Sequence, residues 1–202
     1  MSISRADAVA IKPVIRRQAL EARQSMDPSR HQQASAAISE RLAKLALERG
    51  WQCILVFLPW RAEPDLRPLW QRWRRLDRQL GLPVVQGADA ELFFAAWPET
   101  EALRPDALGL PAPLSLQEFD PDCWVIPCVA VDEAGHRLGA GKGFYDRTLA
   151  ARHPLGTPRP DLVGVCFEAG RLNLSFAEPH DLRLDWLITE AGEIDHRGEG
   201  PA

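Results

Sequence analysis

The chain has 202 residues, 46% of them hydrophobic and 26% charged, with a formal net charge of −4. This is the composition of a single globular domain that needs neither a disulfide nor a metal to hold it together. The acidic balance speaks against a general nucleic-acid binder, and any anionic ligand requires a locally positive site.

Residues 12–24 predict a helix with Pro13 in its first turn. Asp27-Pro28 starts a second helix, carrying Ala34, Ile38, Leu42 and Leu45 on one stripe and stopping at Gly50. CILVFL, residues 53–58, is a short apolar run suited to a strand buried on both faces. Asp65 is read as the cap of a third helix, with Leu66, Leu69, Trp70, Trp73, Leu76 and Leu80 at helical spacing and Gly81 at its end. LPVV at 82–85 and ELFFAA at 91–96 read as strands, and the Pro-, Asp- and Glu-rich stretch 97–122 as a long surface loop. CWVIPCVAV at 123–131 is another buried strand, interrupted by Pro127. A glycine loop and a helix from about Phe144 follow, then strands at 161–167 and 185–189. Strands alternating with helices predict a layered, largely parallel α/β fold. One domain over 1–194 is expected, with a flexible tail at 195–202.

The four cysteines form no CxxC pair and sit in apolar runs, as reduced, buried thiols do. The opening MSISRADAVAIKPVIRR lacks an apolar core of signal-peptide length, and no run approaches the roughly 20 apolar residues of a membrane span. A cytoplasmic protein without membrane or nucleic-acid partners is expected.

The most informative stretch is DEAGHRLGAGKGFYDR, residues 132–147. Glycines at 135, 139, 141 and 143 fall between a buried strand and a helix, with Arg137, Lys142 and Arg147 among them. Backbone N–H groups in such a loop, backed by a helix N-terminus, cradle phosphate. The loop is neither a Walker A motif, since Lys142 precedes Gly143, nor GxGxxG. The histidines show no zinc-ligand spacing.

RLGAGKGFYDR, residues 137–147, resembles the RLGxGxGYYDR signature of the 5-formyltetrahydrofolate cyclo-ligase family. Further landmarks occur in the family's order: Lys12 and Arg16 in a K-x-x-L/I-R element, LPWRAEPDL at 58–66, VIPCVAVDEAGHRLG entering the loop, and EPHDLRLDWLIT at 178–189. Two positions depart from the pattern. Phe144 replaces the first tyrosine of Tyr-Tyr-Asp, and Ala112-Pro113 stands where relatives often have Glu-Pro.

The resemblance implies a three-layer, Rossmann-like fold with a mostly parallel sheet and helices on both faces, as in sugar-phosphate isomerases and CoA transferases. It implies an ATP-dependent C–N bond-forming ligase that converts 5-formyltetrahydrofolate to 5,10-methenyltetrahydrofolate, ADP and phosphate. The formyl oxygen is phosphorylated and N10 closes the ring. Lys12, Arg16, Arg137, Leu138, Gly139, Ala140, Gly141, Lys142, Gly143, Phe144 and Tyr145 would bind ATP, with Lys142, Arg137 and Tyr145 catalytic. Leu58, Glu63 and Tyr145 would bind the folate, and Asp146 and Asp181 would bind Mg²⁺. A monomer is expected.

From the residues alone, Asp146 also reads as a partner of Arg147 or a residue of a helix first turn, and Asp181 as the cap of a turn at His180-Asp181. Lys12 and Arg16 read as an exposed basic face. Trp60 and Trp97 offer stacking surfaces for a pterin, although tryptophan more often belongs to a core. Two rivals stay open at this point: a sugar-phosphate isomerase or CoA transferase, which needs no ATP hydrolysis, and a sensor that binds folate or nucleotide without turnover.

Overall fold

The computed structural model describes residues 5–154, 156–178 and 181–198. In chain order the helices are α1 (Arg5–Gln24), α2 (Pro28–Arg49), α3 (Arg67–Arg74) and α4 (Phe144–Arg152). The strands are β1 (Cys53–Leu55), β2 (Gln79–Val85), β3 (Leu92–Ala96), β4 (Leu103–Pro105), β5 (Pro111–Pro113), β6 (Cys123–Pro127), β7 (Ala130–Val131), β8 (Arg137–Leu138), β9 (Asp161–Val165), β10 (Trp186–Ile188) and β11 (Glu193–Asp195).

Seven strands form the main sheet in the order β11-β10-β9-β6-β1-β2-β3. The five inner strands are parallel, and the edge strands β3 and β11 run antiparallel to their neighbours. From β1 the chain builds outward through β2 and β3, then returns to β6 on the other side and builds outward through β9 to β11. The boundary between β1 and β6 is therefore a topological switch point, where open α/β sheets leave a crevice beyond the strand ends.

The apolar strands divide their side chains between two cores. Ile54, Val56, Cys123, Val125, Val163, Val165, Trp186 and Ile188 pack with Ile38, Leu42 and Leu45 of α2 and Leu69, Trp70 and Trp73 of α3. Leu55, Trp124, Ile126, Leu162 and Leu187 face the opposite core, where Phe144 and Leu149 of α4 pack. Alternation along continuous apolar runs is the period-2 geometry of strands covered on both faces. The fold is the expected three-layer α/β arrangement.

The second helix keeps its signals. Asp27 accepts the N–H groups of Ser29 at 2.9 Å and Arg30 at 3.2 Å, and Gly50 closes the helix at φ 73°. Other boundaries move. Pro13 lies inside α1, which begins at Arg5 rather than at residue 12. The third helix starts after Leu66 and stops at Arg74, before Leu76 and Leu80. Leu80 and Gly81 belong to β2, which pairs in parallel with β1. A Cβ at Gly81 would fall inside the Phe119 ring, so close packing rather than a helix stop calls for that glycine.

The 123–131 run divides at Pro127. Beyond it the chain leaves the main sheet, and Ala130–Val131 pairs with Arg137–Leu138 in a separate ribbon. The 97–122 stretch contains the β4–β5 hairpin instead of loop alone. Ala112 is buried in that hairpin against Val84 and Ala95, where an ionised side chain would lose its water. The predicted tail begins too early, because Asp195 ends β11 and His196 is buried. Residues 199–202 lie outside the described part.

Candidate active site

Two loops and one helix converge on the switch point. The first loop leaves β1 and turns at Arg61 and Ala62, both with positive φ, 49° and 59°. Such conformations cost about 1–3 kcal/mol each in non-glycine residues and persist only where their surroundings enforce them. Here the His31 ring lies 3.3 Å from the Ala62 carbonyl and 3.2 Å from that of Glu63. The Trp60 N–H donates to the Glu63 carboxylate at 3.0 Å, and the Glu63 N–H donates back to the Trp60 carbonyl at 3.1 Å. The loop thus holds Glu63 inward. Burial raises the carboxyl pKa of Glu63, against the opposing pull of the Trp60 N–H and of the Arg23 and Arg137 charges.

The second loop is the glycine stretch. Its entry is organised by Asp132, whose side chain is fully buried. The Asp132 carboxylate accepts N–H groups of His136 at 2.7 Å, Ala134 at 3.1 Å and Phe176 at 3.4 Å. This turn delivers Arg137 to β8, where its guanidinium lies 3.5 Å from Asp146 and over the Tyr145 ring at 5.0 Å. A Cβ at Gly139 would overlap that guanidinium. Gly141 has a φ of 97°, and a Cβ there would touch the Arg16 guanidinium at 3.4 Å. The missing side chains let two guanidinium groups close on the backbone of the loop.

The helix is α1. Arg16 donates to the Gly139 carbonyl at 2.9 Å. Burial, then repulsion from Arg137, lowers the Arg16 pKa. Two neighbouring guanidinium groups, with Lys142 on the same loop, make a site that an anion neutralises. Lys12, a turn earlier, contacts Asp181 at 2.5 Å and Glu178 at 2.7 Å. Burial alone would lower the Lys12 pKa; hydrogen bonds to Asp181 and Glu178 outweigh it and raise it.

Between these elements lies a cavity of 420 Å³, and Leu58, Glu63, Arg137, Ala140, Lys142, Gly143, Phe144 and Tyr145 line it. Lys12, Arg16, Leu138, Gly139, Gly141, Asp146 and Asp181 do not line it. Asp146 accepts the Leu182 N–H at 3.0 Å and faces Arg137, while Asp181 takes the Glu178 N–H at 2.7 Å as well as Lys12. Among the described residues no three or more His, Cys, Asp or Glu side chains gather as a metal cluster. Tyr145 is buried, and loss of hydration pushes its phenol well above the ordinary value. Trp60 lines the cavity and Trp97 does not.

The sequence reading missed Arg23 and the hairpin. Arg23 is 7% exposed and lines the cavity beside Glu63. It follows Lys12 and Arg16 at i+11 and i+7, positions that share one helix face at 3.6 residues per turn, so the signal was present. Leu108, Leu110 and Pro111 of the hairpin segment also line the cavity. Nothing local marks them, since their role depends on where the hairpin folds.

A mostly parallel sheet with a cation-lined glycine loop and a largely apolar cavity at its switch point is the layout of an α/β enzyme acting on a small molecule. A sequence profile of the 5-formyltetrahydrofolate cyclo-ligase family matches residues 8–190, and the chain belongs to that family. It is 31% identical over 134 residues to 5-formyltetrahydrofolate cyclo-ligase of Escherichia coli K12, covering 63% of this chain and 73% of that one. The Mycolicibacterium smegmatis cyclo-ligase is 26% identical over 175 residues, 70% of this chain and 79% of that one. The solved structure of Aquifex aeolicus 5,10-methenyltetrahydrofolate synthetase superposes with a TM-score of 0.80 at 25% identity, covering 95% of both chains. Among the described residues no helix is long and apolar enough to cross a membrane.

Proposed function

We propose that the protein converts 5-formyltetrahydrofolate to 5,10-methenyltetrahydrofolate at the expense of ATP, releasing ADP and phosphate. The observation that carries the reading is the adjacency of two unlike environments. The glycine loop with Arg16, Arg137 and Lys142 suits a triphosphate, and the cavity it opens on holds a half-buried carboxylate, Glu63, suited to the amino and ring N–H donors of a pterin.

ATP supplies a phosphoryl group that turns the formyl oxygen into a leaving group. N10 then attacks the formyl carbon, the C–O bond breaks, phosphate departs and N10 gives up its proton. No protein nucleophile is needed, and the side chains position the reactants and stabilise charge. Arg16 and the loop N–H groups hold the phosphates. Lys142 reaches the oxygens that gain charge during transfer. Arg137, electrostatically coupled to both Glu63 and Tyr145, sits where the two substrates meet. Tyr145, which its raised pKa keeps neutral, offers its O–H as a hydrogen-bond donor to an oxygen at that junction. Phe57, Leu82, Val85, Leu92 and Phe144 line the cavity with apolar walls, from which a bound pterin would displace water.

Asp146 and Asp181 already face Arg137 and Lys12, and no third carboxylate completes a cage among the described residues. This donor set fits a magnesium ion that arrives on the phosphates and keeps most of its water. Asp146 and Asp181 would hold such an ion, which would neutralise part of the phosphate charge. A monomeric, cytoplasmic enzyme fits the reading.

The test is the absorbance of the methenyl product formed from 5-formyltetrahydrofolate with and without ATP. Product and one equivalent of phosphate only when both are present support the proposal. Phosphate release that ignores the folate, or folate binding with no turnover, rejects it.

A further inference from the structure

We infer that Arg23 reads the 4-oxo group of the pterin ring, so that the cavity selects 4-oxo over 4-amino pteridines. The inference rests on the folate reading above and adds a specificity-determining residue to it.

Arg23 is more than nine-tenths buried, lines the cavity, and has no hydrogen-bond partner for Nε or Nη1. Buried arginines ordinarily spend their N–H groups on carbonyls or carboxylates, because leaving them unmade is costly. The nearest acid is Glu63, whose Oε1 lies 4.0 Å from Nη1. That separation gives attraction without a hydrogen bond, so both groups retain capacity for a ligand. Burial holds the Arg23 pKa below its usual value, with Glu63 opposing.

A guanidinium and a carboxylate side by side present donors next to acceptors. A pterin edge carries the complement, with the 2-amino group and N3–H as donors and O4 as acceptor. Glu63 takes the two donors and Arg23 takes O4. A phosphate is a poor occupant of this spot, since it would lie against the Glu63 carboxylate. A neutral carbonyl satisfies Arg23 without that repulsion. A 4-amino group brings N–H against N–H and leaves the guanidinium buried and unpaired, which is where a polar site discriminates most strongly.

The experiment compares 5-formyltetrahydrofolate with a 4-amino-4-deoxy analogue carrying the same tail. Binding is measured by calorimetry on the full chain, for the parent and for Arg23→Met. The parent is expected to favour the 4-oxo ligand on the order of 10- to 100-fold, the size of a charge-assisted hydrogen bond. In Arg23→Met the ratio falls on the order of 10-fold, to the part that Glu63 draws from the N3–H present only in the 4-oxo ring, and KM for the 4-oxo substrate rises by a similar factor, with kcat changed much less. A parent ratio near one, or a variant that keeps the parent ratio, overturns the assignment. The parent comparison stands even where the variant fails to fold, which its melting curve reveals. Methenyl product formed with ATP alongside a parent ratio near one removes Arg23 alone. Absence of product and of folate binding in the parent removes the proposed function, and this inference falls with it.

Discussion

Asp132 offers the sharpest test of how the glycine loop is held. Asp132→Ala leaves the N–H groups of Ala134, His136 and Phe176 without their acceptor, the first two part-buried and the third buried. Each orphaned donor costs about 1–3 kcal/mol. The 3.4 Å contact to Phe176 belongs at the low end. Relief from burying a carboxylate offsets part of the sum, leaving a loss of about 3 kcal/mol. For a domain of this size that lowers Tm by roughly 6–12 °C. Asp132→Asn keeps an acceptor for Ala134 and His136, both of which use Oδ1, and is expected to lose about 1–2 kcal/mol. Urea denaturation should show a lower midpoint with an unchanged slope. An alanine variant within about 0.5 kcal/mol of the parent, or an asparagine variant equally damaged, refutes the claim that this carboxylate anchors the loop.

Lys142→Ala is expected to lower kcat by on the order of 10²–10³ in the methenyl assay with little change in melting, since the side chain is exposed in the free protein; turnover like the parent's removes it from the mechanism. Glu63→Gln should weaken folate binding yet raise Tm at pH 7. The folded pKa of Glu63 is raised, so the stability linked to its neutral form is full below the unfolded value of about 4.3 and is lost as pH rises through the folded value. An unchanged or lower melting temperature at pH 7 contradicts that sign. Lys12→Met removes the ammonium between Asp181 and Glu178, and chemical denaturation should report a loss of about 3–5 kcal/mol at neutral pH. In the parent, the stability from this raised pKa is full below the unfolded lysine value of about 10.4 and fades as pH climbs through the folded one. An alkaline melting series that is flat there rejects the pairing.

The departure at Phe144 has a structural place. Its ring lines the cavity and lies under the Arg147 guanidinium at 5.1 Å, so the aromatic face is used there.

Much of the framework was legible because it depends on local chemistry. Asp27, Pro28 and Gly50 set the ends of α2 through groups within a few residues of one another. The runs at 53–58, 123–131 and 161–167 announced buried strands, and the glycines with Arg137 and Lys142 announced a phosphate loop. What the tertiary structure alone decided is which distant groups share a space. Leu80 and Gly81 follow helical spacing after Trp73, but pairing with β1 and the Phe119 ring make them strand. Lys12 and Asp181 carried separate expectations as nucleotide and metal ligands, and folding sets them against each other. Arg23 and Glu63 are adjacent only because α1 crosses the loop after β1. Hydrophobic period and capping act over a turn or two of chain, whereas charge pairing and cavity walls depend on contacts between segments that the sequence keeps apart.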